Sequence, residues 1–311
     1  VIFKELGLVI VDEQHRFGVD QRLRLKLKGK NPHTLNLTAT PIPRTLALTA
    51  YGDLDVSVIK TMPKGRMPIV TSVVLPSEKN SVFEKIRGEL NAGKQAYVIF
   101  PLVEESEKID LSNAIEGAEQ LANGPFAGIR VGLLHGRMKP DEKSRVMQDF
   151  KNGLIKVLVS TTVVEVGVDV PSATTMLIEN AERFGLSQLH QLRGRIGRGQ
   201  DQSFCYLSSE SKSELAIERL SALETTSDGF KLAELDLKIR GPGEFLGTKQ
   251  SGELQFKYAS LIRDQTILEE ARTIAFEIIK SDPELKDPRH SQLKNYMILH
   301  GHLAGQRFET A

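Results

Sequence analysis

Hydrophobic residues in this chain fall in short blocks, and the spacing inside the blocks changes along the sequence. Leu8–Val11 is a four-residue apolar run that ends on the carboxylates Asp12 and Glu13. A run of that kind reads as a buried parallel strand, because a strand covered on both faces has no polar alternation to keep. Leu35-Asn36-Leu37 and then Thr38-Ala39-Thr40 repeat the layout, with Pro41 and Pro43 bounding a turn. Ligands in open α/β sheets sit at the carboxyl ends of strands, so both segments point at one crevice. Farther on, the blocks alternate regularly. Strands are predicted over 69–75, 95–100, 129–134, 155–160, 174–179 and 203–208, and helices over 77–91, 114–122, 140–151 and 186–196. Pro140 stands where the first turn of a helix tolerates proline. Strands alternating with helices predict an α/β fold built on a parallel, doubly wound sheet. From about 211 the strand pattern stops. Helices are predicted over 212–225, 228–239 and 260–280, with the glycine-rich loop 240–252 between the last two.

Composition narrows the picture only a little. A length of 311 residues suggests about two domains, and the Pro/Gly-rich stretch Thr61–Pro68 is the best linker between them. With 40% hydrophobic and 26% charged residues the chain is an ordinary globular protein. A net charge of +1 does not announce a nucleic-acid binder, but phosphate contacts need only a local basic face. The single cysteine, Cys205, rules out a disulfide framework within the chain and fits a reducing cytoplasm. No run of eighteen apolar residues predicts a membrane span. The chain opens on Val1 and enters a core strand almost at once, so a truncated amino terminus is expected.

Three constellations carry chemistry. Asp12-Glu13-Gln14-His15 follows an apolar strand. One carboxylate there can hold Mg²⁺ through its water shell while the other orients or deprotonates an attacking water. Ser160–Pro171 runs from strand hydroxyls to Gly167-Val168-Asp169-Val170-Pro171; hydroxyls and backbone N–H groups can bind phosphate, and an Asp can bind a ribose hydroxyl. Gln188–Gly199 sets Arg193, Arg195 and Arg198 among glycines on a predicted helix end. Arg195 and Arg198 are three apart and can share a face, and arginine's planar fork suits phosphate. The run Arg22–Lys28 alternates basic and apolar residues and is a weaker candidate for DNA phosphate contact, which would be salt-dependent. No G-x-x-x-x-G-K-[ST] phosphate cradle occurs in the sequence.

Taken in order, these motifs resemble those of the superfamily 2 helicases: Asp12–His15 as motif II, Thr38–Thr40 as motif III, Ser160–Asp169 as motif V and Gln188–Arg198 as motif VI. Across nearly the whole chain, DEQHRFGVDQR, LTATPIPRTLALTAYGDLDVSVI, LHGRMKP, TTVVEVGVDVP and QLHQLRGRIGRG look like the RecG family of bacterial ATP-dependent DNA helicases. DGFKLAELDLKIRGPGEFLGTKQSG resembles the helical hairpin and loop shared by RecG and the transcription-repair coupling factor, and DEQH favours RecG.

The resemblance implies RecA-like motor domains, with a partial first domain over 1–62, a complete second one over 63–210, a translocation hairpin over 211–259 and a carboxy-terminal helical segment over 260–311. It implies ATP and Mg²⁺, with Asp12 positioning the metal through water, Glu13 activating water, and Gln14 and His15 coupling the site to motion. Gly167 and Asp169 lie near the nucleotide, and Arg195 and Arg198 reach across a cleft to the γ-phosphate. Thr38, Thr40, Thr162 and Gln191 join nucleotide state to the DNA face, and Arg219, Arg240 and Gln250 match polar positions of the hairpin. Implied partners are branched double-stranded DNA (forks and Holliday junctions), a wedge and P-loop half upstream, and a single-stranded-DNA-binding protein, with no membrane. The expectation is that these 311 residues alone bind ATP poorly and do not unwind DNA. Two other readings stay open: the motor of a coupling factor, and a non-catalytic duplex-binding module.

Overall fold

A computed structural model describes residues 2–13, 17–38, 56–59, 61, 65–101, 107–161, 169–240 and 264–300. The chain divides into two units, Ile59–Ile239 and a second made of Val1–Val58 with Arg240–Ala311.

The larger unit is built on a six-stranded sheet: β3 (Val70–Val74), β4 (Gln95–Ile99), β5 (Val131–Leu134), β6 (Val157–Ser160), β7 (Ala173–Ile178) and β8 (Phe204–Ser208). All pairings are parallel and the spatial order is β3-β8-β7-β4-β6-β5. Helices α2 (Lys79–Asn91), α3 (Glu107–Asn123), α4 (Pro140–Lys151) and α5 (Leu186–Arg193) connect the strands. Side chains leave a strand to opposite faces in turn, and β4 shows the result. Tyr97 and Ile99 enter one core with Phe150, Leu158, Met176, Leu186 and Leu189. Ala96 and Val98 enter the other with Ile86, Phe126, Val157 and Leu177. Burial on both faces is why these strands read as continuous apolar runs. The predicted α/β doubly wound sheet is the fold observed.

Helices α6 (Glu214–Thr225) and α7 (Gly229–Arg240) belong to the same packing unit up to Ile239. Leu220, Leu223 and Leu232 share the core of Tyr97 and Phe150. Helix α3 begins at Glu107 rather than 114, and Leu111 continues the helical spacing of Ala114, Ala118 and Leu121. Helix α5 stops at Arg193, short of the expected 196, with Gly194 as its C-cap: the Gly194 N–H donates to the His190 carbonyl at 3.0 Å and the next N–H, that of Arg195, to the Leu192 carbonyl at 2.9 Å.

In the other unit β1 (Leu8–Val11) pairs in parallel with β2 (His33–Asn36), and α1 (Val19–Lys26) lies between them in sequence. Helices α8 (Gln265–Ser281) and α9 (Ser291–Leu299) follow later. Between these two, Asp282 gathers the loop: its carboxylate accepts from the Lys286 and Asp287 N–H groups at 2.8 and 2.9 Å and lies 2.8 Å from His290 Nδ1. These bonds hold the Asp282 carboxyl below its usual range. Leu8–Val11 is not the doubly covered strand that its composition suggested. Only Val9 and Val11 are buried, while Leu8 and Ile10 are exposed on the other face.

Candidate functional site

At the carboxyl end of β1 the register sets Val11 opposite Asn36, and the Leu37 N–H donates to the Val11 carbonyl at 2.8 Å. Asp12 and Thr38 therefore leave neighbouring strands at one edge, as the spacing of the two motifs predicted. Both are exposed. Asp12 Oδ1 accepts from the Glu13 N–H at 2.9 Å, which orients the carboxylate. Glu13 itself sits at φ 50, a left-handed conformation that costs a non-glycine residue about 1–2 kcal/mol. Asp12 fits Mg²⁺ by its chemistry: a hard, exposed oxygen donor suits an ion that keeps several waters and takes one or two carboxylates. Among the described residues no cluster of three or more His, Cys, Asp or Glu could hold a metal outright. Gln14, His15 and Thr40 lie outside the described residues.

The larger unit carries its chemistry at the opposite edge of its sheet. Asp169 precedes β7, and Arg195 and Arg198 precede β8, so all three stand at the amino ends of strands. Leu186, Leu189 and Leu192 seat α5 in the core, and Gln191 is half-buried on that helix. Beyond Gly194 the chain turns, with the Arg195 N–H donating to Leu192 and the Ile196 N–H to Arg193. Ile196 and Gly197 are buried between the two arginines. Arg195 and Arg198 thus share a turn rather than a helical face, since the helix has already ended.

Two glycines make that turn. Gly197 has φ +69, and a Cβ there would meet Ile69 Cγ1 at 2.9 Å. At Gly199 a Cβ would meet the Pro171 carbonyl oxygen at 2.9 Å, so the two arginine- and aspartate-bearing segments approach backbone to backbone. Arg198 Nη1 comes within 3.7 Å of Asp169 Oδ1, and Arg198 Nε donates to the Gly194 carbonyl at 3.4 Å. Burial pushes the nearby Tyr97 phenol up to about 12, against the opposing pull of Arg198 and Arg195.

Ser160 and Thr161 were expected to offer hydroxyls to phosphate beside Asp169. They do not. Both are fully buried at the carboxyl edge of β6, and Ser160 Oγ donates to the Thr161 carbonyl at 2.7 Å. A parallel sheet places the end of β6 and the start of β7 on opposite edges, so Ser160 and Asp169 stand apart. Thr162 and Gly167 lie outside the described residues.

Arg193 is the residue whose place the motif reading missed. It is buried, and Nη1 donates to the carbonyls of Leu223 at 2.7 Å and Thr226 at 3.1 Å. Its Nη2 lies 3.0 Å from His190 Nδ1. Burial, then the positive charge of Arg193, hold His190 down to about 4, so the ring is neutral and accepts. A signal did exist: Arg193 lies four residues after Leu189 and three before Ile196, on the buried face of the helical repeat. Arg219 is likewise half-buried. Its Nη2 donates to the carbonyls of Glu182 at 2.7 Å and Phe184 at 2.8 Å, tying α6 to the turn before α5. Arg240 ends α7 with its side chain outside the described residues, as is Gln250. In the basic run, α1 takes up Arg22–Lys26 as a helix rather than an extended strip.

Residues 78–200 match the family described as the helicase conserved C-terminal domain. Residues 226–299 match the C-terminal part of domain 3 of the ATP-dependent DNA helicase RecG. The chain is 55% identical over 298 residues to the ATP-dependent DNA helicase RecG of Synechocystis, covering 96% of this chain and 36% of that protein. It is 50% identical over 307 residues to the RecG of Bacillus subtilis, covering 99% of this chain and 45% of that protein. The chain therefore spans less than half the length of these curated relatives. A solved structure of RecG bound to a three-way DNA junction superposes with a TM-score of 0.66 at 48% identity, over 86% of this chain and 34% of that one. The helicase MrfA bound to DNA and AMPPNP, 17% identical with a TM-score of 0.51 over 87% of this chain and 40% of that one, shares the fold alone.

Proposed function

This chain belongs to the RecG family, and from that premise we propose that it is motor sequence of a bacterial, cytoplasmic ATP-dependent enzyme that translocates on double-stranded DNA and remodels stalled forks and Holliday junctions. The observation that carries the reading is the pairing of Arg198 with Asp169 on a turn that also bears Arg195. An exposed ion pair is worth only about 0–1 kcal/mol, so Arg198 gives up Asp169 at little cost for a more highly charged group. A phosphoryl group in transfer spreads charge over its equatorial oxygens, and two guanidinium forks on one rigid turn are suited to meet it. Asp169 is left beside the nucleotide, with Gly167 nearby in sequence.

Asp12 would hold Mg²⁺ through water, and Glu13 would take the proton of the attacking water. The metal, when bound, neutralises charge building on the phosphate oxygens. Gln14 and His15 pass the state of that site onward. Thr38, Thr40, Thr162 and Gln191 carry it to the DNA, and Arg219, Arg240 and Gln250 carry it to the hairpin. The Arg219 bonds to Glu182 and Phe184 support such a link, because they join α6 to the segment leading into α5. Branched duplex DNA is the partner, with a single-stranded-DNA-binding protein as a further one.

The 311 residues contain no P-loop sequence; in this reading the phosphate cradle belongs to a protein of the length of the curated relatives. ATPase assays with forked DNA test the proposal. Arg198→Ala in the full-length, P-loop-containing protein is expected to lower kcat by about 10³-fold or more. The 311-residue polypeptide alone is expected to give no DNA-stimulated turnover. Brisk hydrolysis by that polypeptide, or a near-normal rate for the Arg198 variant, would sink the reading.

A further inference from the structure

The segment that opens the larger unit is strapped along the arginine turn. Arg66 Nε donates to the Gly197 carbonyl at 2.9 Å, in a partly buried contact. Gly197 is the left-handed residue between Arg195 and Arg198, so its carbonyl direction sets how the turn presents both side chains. Ile69 fills the space that a Gly197 side chain would need. Gln202 Nε2 donates to the Pro68 carbonyl at 2.8 Å, and the Val70 N–H donates to Ser203 at 2.9 Å. Residues 66, 68, 69 and 70 therefore hold the strand-to-turn segment 197–203 at four successive points. Three of these are neutral or apolar contacts. Only the Arg66 bond is charge-assisted, a class roughly twice as strong as a neutral hydrogen bond.

We propose that Arg66 is a positioning residue for ATP hydrolysis: it fixes the carbonyl of Gly197, and through it the aim of Arg195 and Arg198. Arg66 follows closely on the junction between the two units at Val58 and Ile59. This inference rests on the proposed role of Arg195 and Arg198 at the γ-phosphate. Arg66 touches neither nucleotide nor water in it. Its effect falls on the transition state, because a phosphate-binding fork displaced by a fraction of an ångström loses in-line contact while the rest of the nucleotide stays bound.

The test uses full-length, P-loop-containing protein with forked DNA. Arg66→Ala is expected to lower kcat by about ten- to a hundred-fold while KM for ATP stays within about two-fold. Affinity for ADP with aluminium fluoride, relative to ADP alone, is expected to fall by the same factor. Arg66→Lys keeps a cationic donor and is expected to recover most of the loss. Thermal midpoints of all variants are measured alongside. A kcat within two-fold of the parent for Arg66→Ala overturns the inference. So does a loss that tracks a falling thermal midpoint and is not recovered by lysine, since that marks a strut for folding only. Arg195→Ala in the same assays separates the two levels: if it leaves kcat unchanged the functional reading itself falls, whereas if it abolishes turnover while Arg66→Ala does nothing, only the role of Arg66 falls.

Discussion

The two parallel sheets of this chain are made from similar sequence and end up in different circumstances. Ile99 on β4 is fully buried, whereas Ile10 on β1 is 56% exposed. Both lie in short apolar runs before polar residues. The difference is what covers them: β4 sits at an inner position of six strands with helices on both faces, and among the described residues β1 pairs with β2 alone, which is exposed along three of its four residues. An apolar run therefore announces a strand, while its stability depends on layers supplied by distant sequence.

Hydrogen exchange on the 311-residue polypeptide would break or sharpen this contrast most directly. Amides of β4, β6 and β7 are expected to exchange about 10³-fold or more slowly than those of β1 and β2, because core strands open only with the global transition. Comparable protection in both sheets would show that β1 and β2 are held as firmly as the larger core. A smaller effect is expected from truncation. Phe150→Ala removes a fully buried ring 4.9 Å from that of Tyr97 and is expected to destabilise the larger unit by about 3–5 kcal/mol. Ile10→Ala is expected to change stability by less than about 0.5 kcal/mol. Urea denaturation of the two variants reads both, and equal losses would erase the distinction.

A further effect, below that of Phe150→Ala, is a pH dependence in the larger unit. His190 titrates near 4 in the folded chain, below its unfolded value of about 6.5. The unfolded state then takes up the proton first as pH falls. The contribution of the neutral ring is complete above about 6.5 and is lost as pH drops toward about 4, an effect of roughly 1–3 kcal/mol. Arg193 and Asp228 are the charged groups that act on it, the first lowering and the second raising its affinity for the proton. Thermal midpoints of the parent and His190→Gln between these pH values should diverge, with the glutamine variant flatter. Superimposable profiles would mean that His190 is not held neutral.

Much of the larger unit was legible beforehand because its strands are covered on both faces, which leaves contiguous apolar runs of strand length. Each predicted strand lies within two residues of an observed one at either end. The arginine turn was legible in part: glycines between cations signalled close approach, and Gly197 and Gly199 do meet Ile69 and Pro171. The end of α5 was misjudged because Ile196 continues the helical apolar spacing even though Gly194 has already turned the chain. The fate of Ser160 and Thr161 was not legible, since a hydroxyl that closes a buried strand has the same sequence pattern as one that faces a ligand.

Local sequence determined by itself the class of fold, the alternation of strands and helices, and the motif order that marks the RecG family, because these depend on residue spacing within a window of a dozen positions. Only the tertiary structure decided the strand order, in which β3 pairs with β8 across more than a hundred residues of sequence. It alone set Asp169 beside Arg198, buried Arg193 against the end of α6, and laid Arg66 on Gly197. Those contacts join segments whose separation along the chain carries no periodic signal.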